Sequence, residues 1–312
     1  MKVRFWGVRG SVPTPITPQQ IQNKISAVIQ RITEKDIETF DAREKFIANL
    51  PDWLYGTTGG NTSCVEFRPD KNTVFVLDCG TGLREFGLHS EKPQDLTYHI
   101  FLSHFHWDHL QGLPFFGMAY NPSVKLNFYS TSPDAEKILR GQQNQPYFPV
   151  PFDAFTKNVT FTTISEGKPF NLKGTEIITC RMPHPGGSWC YSFSKGGKKF
   201  VYATDVEIGP KEFIPSDSAE KVFKNADAIV IDSQYTVEEI VEKEHWGHSA
   251  FCYAVDFAVY WEVKKLYLFH HEPAYDDKKL NSILQSARWY AKFVCHSDLK
   301  VYLAMENQEF EV

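Results

Sequence analysis

Ser103-His104-Phe105-His106-Trp107-Asp108-His109 directly follows the apolar run Tyr98-His99-Ile100-Phe101-Leu102. A strand-like run that ends in three imidazoles and a carboxylate within six positions places four metal-ligand side chains on one loop at a sheet edge. Histidine suits zinc and other first-row metals, and aspartate adds a hard oxygen.

Working outward, Glu176-Ile177-Ile178-Thr179-Cys180-Arg181-Met182 leads to Pro183-His184-Pro185-Gly186-Gly187. Tyr202-Ala203-Thr204 leads to Asp205, a carboxylate able to bridge two cations. Leu266-Tyr267-Leu268-Phe269 leads to the adjacent pair His270-His271. Neighbours on a strand point to opposite faces, so only one of that pair is expected to face the metals.

Upstream, Val3–Val8 reads as a strand, followed by Pro13, Pro15 and Pro18. From Gln19 to about Leu50, apolar residues at helical spacing predict one or two amphipathic helices inserted between β-rich stretches. A helical hairpin packed on the scaffold is one reading, and a lid or oligomer contact is the other. Further helices are predicted near 133–141, 249–262 and 278–293. Strand runs in both halves, with helices between and after them, predict an α/β sandwich.

The chain has 312 residues, 42% hydrophobic, enough for a sizeable core. Its net charge of -5 supplies no global basic field for long nucleic acid and favours a small substrate. Cys64, Cys79, Cys180, Cys190, Cys252 and Cys295 lack any CxxC pairing and read as free buried thiols in a reducing cytoplasm, with structural disulfides as the alternative. The opening residues lack a signal-peptide core, and no apolar run approaches the ~20 residues of a membrane span.

The ligand order resembles the metallo-β-lactamase superfamily. The segments FWGVRGSVPTP (5–15), GGNTSCVEF (59–67), LDCGTGLREFG (77–87) and Trp246-Gly247-His248-Ser249 resemble its phosphodiesterase-like branch, related to ribonuclease Z and to the phosphoribosyl cyclic phosphodiesterase of phosphonate breakdown. The resemblance implies one αββα sandwich domain over residues 1–312. It implies two divalent ions, zinc first and manganese, iron or nickel as alternatives. His104 and His106 would hold one ion and Asp108 and His109 the other, with His184 a further ligand and Asp205 a carboxylate bridging the two. The family spacing selects His270 as the last ligand and leaves His271 for substrate contact, a supporting role or exposure.

The same resemblance implies a hydrolase that would act on a small or cyclic phosphodiester through a hydroxide shared by the metals. Asp108 would orient that nucleophile. His248 and Ser249 would contact substrate, His248 also protonating the leaving oxygen, unless this pair merely opens a helix with Ser249 as its cap. Asp78 is either a partner orienting a ligating histidine or an ordinary turn residue. Arg9 and Arg84 are candidate phosphate contacts, with surface ion pairing as the alternative. Among Trp6, Trp107, Phe115, Phe116, Trp189 and Trp246, one or two are candidates to line the cleft, the others being core.

Three other functions remain open to the same ligand set: thioester, lactam or lactone hydrolysis; tRNA end processing; and non-catalytic metal-dependent sensing. The insertion balances Lys24, Arg31, Lys35, Arg43 and Lys45 against Glu34, Asp36, Glu38, Asp41 and Glu44, with Asp52 just beyond, so it is not a basic arm for tRNA. No membrane partner is expected, and a homodimer is compatible with the pattern.

Overall fold

The computed structural model describes residues 1–312, and the first half of the chain builds one sheet. Its strands are β1 (Lys2–Gly7), β2 (Cys64–Asp70), β3 (Thr73–Leu77), β4 (Thr97–Phe101), β5 (Lys125–Ser130) and β6 (Val159–Thr163). The second half builds the other, from β7 (Phe170–Leu172), β8 (Thr175–Met182), β9 (Ser188–Lys195), β10 (Lys198–Ala203), β11 (Ala228–Asp232), β12 (Lys265–Phe269) and β13 (Lys300–Leu303). The last strand, β14 (Glu309–Glu311), returns to pair antiparallel with β1.

Strand orders are β14-β1-β2-β3-β4-β5-β6 and β13-β12-β11-β10-β9-β8-β7. In each sheet an antiparallel portion passes into a parallel one, at β3–β4 and at β10–β11. The inner faces pack an aromatic core that includes Phe5, Phe67, Phe75, Phe101, Phe193 and Tyr202. The outer face of the first sheet is covered by the helix Gly82–His89 through Leu83 and Phe86. Helices Asp217–Phe223, Phe251–Tyr260 and Asp277–Phe293 cover the second. Helix, sheet, sheet and helix form the expected αββα sandwich. No helix is long and apolar enough to cross a membrane, and all six cysteines are free.

The insertion holds helices Pro18–Ile29, Glu34–Ile37 and Phe40–Ala48, plus a short turn at Asp52–Tyr55. Thr17 caps the first helix with a capping box to Gln20. None of the residues in the first three helices is buried, so the insertion is not packed into the core. It is fastened by Lys24, whose Nζ donates to the Trp53 carbonyl and pairs with Asp277 Oδ2 at 2.6 Å. Asp277 also accepts from Thr58 N at 2.7 Å.

Burial disfavours the Asp277 carboxylate, but hydrogen bonds from Lys24 and Thr58 outweigh it and hold its pKa below 3.8. A depressed folded pKa means the tether contributes fully above the unfolded value and is lost as pH falls through the lowered one. Asp277→Ala is therefore expected to lower unfolding free energy by about 3 kcal/mol at neutral pH. The deficit should shrink in acid as the wild-type carboxyl takes up its proton. Denaturant melts across pH measure both, and a constant or absent deficit would contradict the tether.

Candidate metal centre

The loop after β4 carries the first ligand group because two anchors hold it. Leu102 N bonds to Tyr129 O on β5, and Ser103 N and Oγ both bond to Asp78, each at 2.7 Å. A 3-10 turn at Trp107–His109 then brings His109 back beneath His104, with ring centroids 4.2 Å apart. Asp78 sits just after β3 with φ +61 and is fully buried. Its carboxylate also accepts from His109 Nδ1 and Tyr202 OH, each at 2.8 Å. It thereby fixes the His109 ring with Nε2 directed at the cluster.

The later loops converge on this point. His184 Nε2 lies 3.1 Å from His106 Nδ1, while its Nδ1 faces the Gly247 carbonyl at 2.8 Å. Gly247, at φ +88, admits this contact, since a Cβ there would lie 2.3 Å from His184 Nδ1. Asp205, at φ +31 and buried, sits between two groups of imidazoles. Its Oδ2 is 3.6 Å from His104 Nε2 and 3.7 Å from His184 Nε2. Its Oδ1 is 3.1 Å from His109 Nε2 and 3.3 Å from His270 Nε2. Asp108 Oδ2 completes the second group, 3.2 Å from His109 Nε2 and 3.1 Å from His270 Nε2, and accepts from Ser11 N at 2.8 Å.

Two donor sets result, His104/His106/His184/Asp205 and Asp108/His109/Asp205/His270, each with its ligand atoms within 4.8 Å of one another. His104 Nε2 and His109 Nε2 are buried and make no hydrogen bond. Orphaned imidazole nitrogens facing carboxylates in a closed site are costly unless a cation takes their lone pairs. The residues present therefore fit a pair of divalent ions, with Asp205 common to both sets.

The electrostatics agree with that fit. Burial, then neighbouring His109, holds His104 in its neutral, ligand-competent form, and burial lowers His106 and His184 similarly. Burial alone would raise Asp108 and Asp205, but the surrounding imidazoles outweigh it and keep both ionised. At His109 burial opposes the charge, yet Asp205, Asp108 and Asp78 prevail and raise its pKa. That proton is the one a bound cation would displace.

His270 and His271 lie just beyond β12, and a left-handed turn at His270, φ +59, sends the two side chains apart. His270 faces Asp108 and Asp205, with Nδ1 held by Gln234 Oε1 at 3.0 Å. Gly10 packs so closely on that ring that a Cβ there would lie 2.4 Å from Nδ1. His271 is directed away, with Nε2 on the Ala304 carbonyl at 2.9 Å, and burial followed by Arg9 drives its pKa down to about 3. It is neither exposed nor open to substrate, and the expected contact is corrected to a buried packing role.

His248 lies beside the cluster, stacked on His270 with centroids 4.9 Å apart. Its Nδ1 meets Asp232 Oδ2 at 2.6 Å. Burial opposes its charge, but Asp232 pushes its pKa up to about 9. Ser249 differs from both expectations. The helix begins at Phe251 with Ala250 as its N-cap, and Ser249 Oγ instead donates to Val206 O and accepts from Ile208 N. Being buried, Ser249 pins the loop after Asp205 and touches no cleft.

Arg9 is also corrected. It is buried and donates to the carbonyls of Gly59, Glu272 and Tyr275, so it is a structural clamp, not a phosphate contact. Arg84 is exposed and pairs with Glu85. Of the aromatics, Trp6 and Phe116 are core, whereas Trp107, Phe115 and Trp246 are exposed. Sequence reading missed Asp232, Gln234, Ser103 and Tyr202. Asp232 did carry a signal, being the carboxylate that ends β11 as Asp205 follows β10; the other three carried none.

Loss of the Asp78 carboxylate should be felt through His109. Asp78→Ala is expected to weaken metal affinity by roughly 10–100-fold. Competition with a chromogenic chelator reads this directly, and unchanged affinity would show that Asp78 acts only as a turn residue.

Residues 73–271 match the sequence model of the beta-lactamase superfamily domain. The ribonuclease Z of Picrophilus torridus is 25% identical over 289 residues, covering 77% of this chain and 87% of that protein. The metallo-beta-lactamase fold protein YhfI from Bacillus subtilis superposes with a TM-score of 0.67 at 16% identity, covering 100% of this chain and 98% of the other. A diphosphatase of the PhnP family gives 0.64 at 16%, covering 100% and 97%. At such identities the two structures establish likeness of fold.

Proposed function

As the chain belongs to the beta-lactamase superfamily, we propose that it is a metal-dependent hydrolase of small or cyclic phosphodiesters. The observation that carries this reading is His248, backed by Asp232 at 2.6 Å and stacked against His270 of the candidate metal centre. Hydrolysis of an ester of phosphoric acid expels an alkoxide that needs a proton, and the His248 imidazole beside the candidate metal centre would be the group to give it.

His104, His106 and His184 would hold one ion, and Asp108, His109 and His270 the other, with Asp205 serving both. When bound, such a pair supplies Lewis acidity to a phosphoryl oxygen and lowers the pKa of water. Zinc suits the imidazole-rich set, and manganese, iron or nickel bind the same donors. Asp232 Oδ2 accepts the hydrogen bond from His248 Nδ1–H, and its other contacts, from Gln234 N and Val206 N, keep it in place. His248 Nε2 is thereby the atom that carries the transferable proton. Asp108, steadied by Ser11 N, sets the second donor group at the side where β1 ends.

The test is a substrate panel on metal-loaded protein: bis-p-nitrophenyl phosphate, cyclic nucleotides and dinucleotides beside thioesters, lactones and carboxylic esters. Turnover confined to the phosphodiesters and abolished by chelation is the expected result. Thioester or lactone turnover with none on phosphodiesters would overturn the reading.

tRNA end processing is a second reading, favoured by the similarity to a protein named ribonuclease Z. The net charge of -5 and the charge-balanced insertion speak for the smaller substrate. A tRNA precursor bound with a steep salt dependence would reverse that preference.

A further inference from the structure

Of the open cavities beside the ligand loops, the two larger ones differ in chemistry. One, about 990 Å³, is bordered by His184 and lined by Glu207, Glu212 and Glu244 against Lys211 and His245. Its carboxylates repel an anionic ligand. The other, about 690 Å³, opens beside the metal loop itself and has no charged residue in its lining. Phe105 and Trp107, which bracket His106 in sequence, form one wall, and Leu110 directly follows His109. Phe105 and Trp107 are thus chain neighbours of the ligand His106, with successive Cα atoms about 3.8 Å apart.

The aromatic surface in this cavity is unspent. Trp107 is 81% exposed, Phe115 58% and Tyr147 85%. Phe115 is held on edge by Phe148, with ring centroids 5.7 Å apart at 86°. Large exposed rings grouped around one concavity mark a binding surface. Two amides add direction. Gln142 Nε2 donates to Leu110 O at 3.1 Å and Gln111 Nε2 to Thr62 Oγ1 at 3.4 Å. With the NH₂ ends so engaged, the side-chain carbonyls are the ends left to accept from an exocyclic amino group.

We infer that this cavity is the subsite for the nucleobase of a nucleotide substrate, taken by stacking on Trp107 beside the metal centre. The inference rests on the phosphodiesterase reading and narrows it to nucleoside phosphodiesters, with an amino-bearing base such as adenine favoured. A neutral, planar ring pairs with an uncharged aromatic wall, while the phosphate it carries remains on the side of the imidazoles and carboxylates. Stacking tolerates every base, and the amide oxygens add the preference for an amino group.

Equilibrium titration of the full-length protein with AMP and with ribose 5-phosphate separates base from phosphate recognition. AMP is expected to bind at least about tenfold more tightly. Trp107→Ala should weaken AMP by about 10- to 100-fold, with ribose 5-phosphate affinity retained. Tyr147→Ala, at an 85% exposed position that cannot disturb the core, should weaken AMP in the same selective way. Equal affinity for the two ligands, or AMP binding untouched by both substitutions, overturns the subsite. Turnover of methyl p-nitrophenyl phosphate, which has no base, is followed in the wild type alongside. Its absence would count against the hydrolytic reading, whereas the binding comparison judges the subsite by itself.

Discussion

Asp205→Asn is expected to reduce bound metal from two ions per chain to at most one and to lower phosphodiester turnover on the order of 10³-fold. Both carboxylate oxygens are committed, Oδ1 toward His109 and His270 and Oδ2 toward His104 and His184. Asparagine keeps the shape and one oxygen but loses the charge, and its amide NH₂ would face imidazole nitrogens that should bind a cation. No other carboxylate stands between the two donor groups to replace it. Elemental analysis of the dialysed variant, together with turnover, gives the outcome. Two ions and wild-type turnover would show that Asp205 is not shared.

His248→Ala is expected to lower kcat by about 10²–10⁴-fold on substrates with alkoxide leaving groups. The loss should be smaller with p-nitrophenolate, which departs readily without a proton. Asp232→Asn should cost less than loss of the imidazole itself, because the Nε2 proton donor survives while its tautomer and charge lose support. The contrast between leaving groups is the diagnostic part. An equal loss on both, or a change confined to KM, would make His248 a phosphate-positioning group instead of a proton donor.

Much of the donor set is legible because metal ligation imposes local patterns. His104, His106, Asp108 and His109 share one loop, and the family resemblance, with each candidate following an apolar strand, leads to His184, Asp205 and His270. The family spacing picks His270 over His271, and the structure separates the two by a left-handed turn at His270, just past the end of β12. The layers follow from the alternation of strand runs and helices, and inner-face residues such as Phe67, Phe75 and Phe193 are already marked as apolar.

What was not legible depends on contacts between distant segments. Nothing in the sequence ties Asp78 to Ser103, His109 and Tyr202 at once, and only folding shows Gln234 behind His270. Ser249 reads as a helix cap by position, but Asp232 accepts its N–H and Val206 O its hydroxyl, so the helix starts later. The helix Gly82–His89 was missed because it is short and interrupted by Gly87. In the insertion, Ile21, Ile25 and Ile29 have helical spacing and form a helix, yet they remain 45%, 58% and 62% exposed. Periodicity reveals an apolar face and not the presence of something to cover it.

The most direct measurement is anomalous diffraction at the absorption edge of the metal found by elemental analysis, on crystals of the loaded wild-type protein. Two peaks are predicted, one among His104, His106 and His184 and one among Asp108, His109 and His270, with the Asp205 carboxylate between them. A single peak, or peaks remote from these side chains, would contradict the binuclear centre on which the proposed hydrolysis depends.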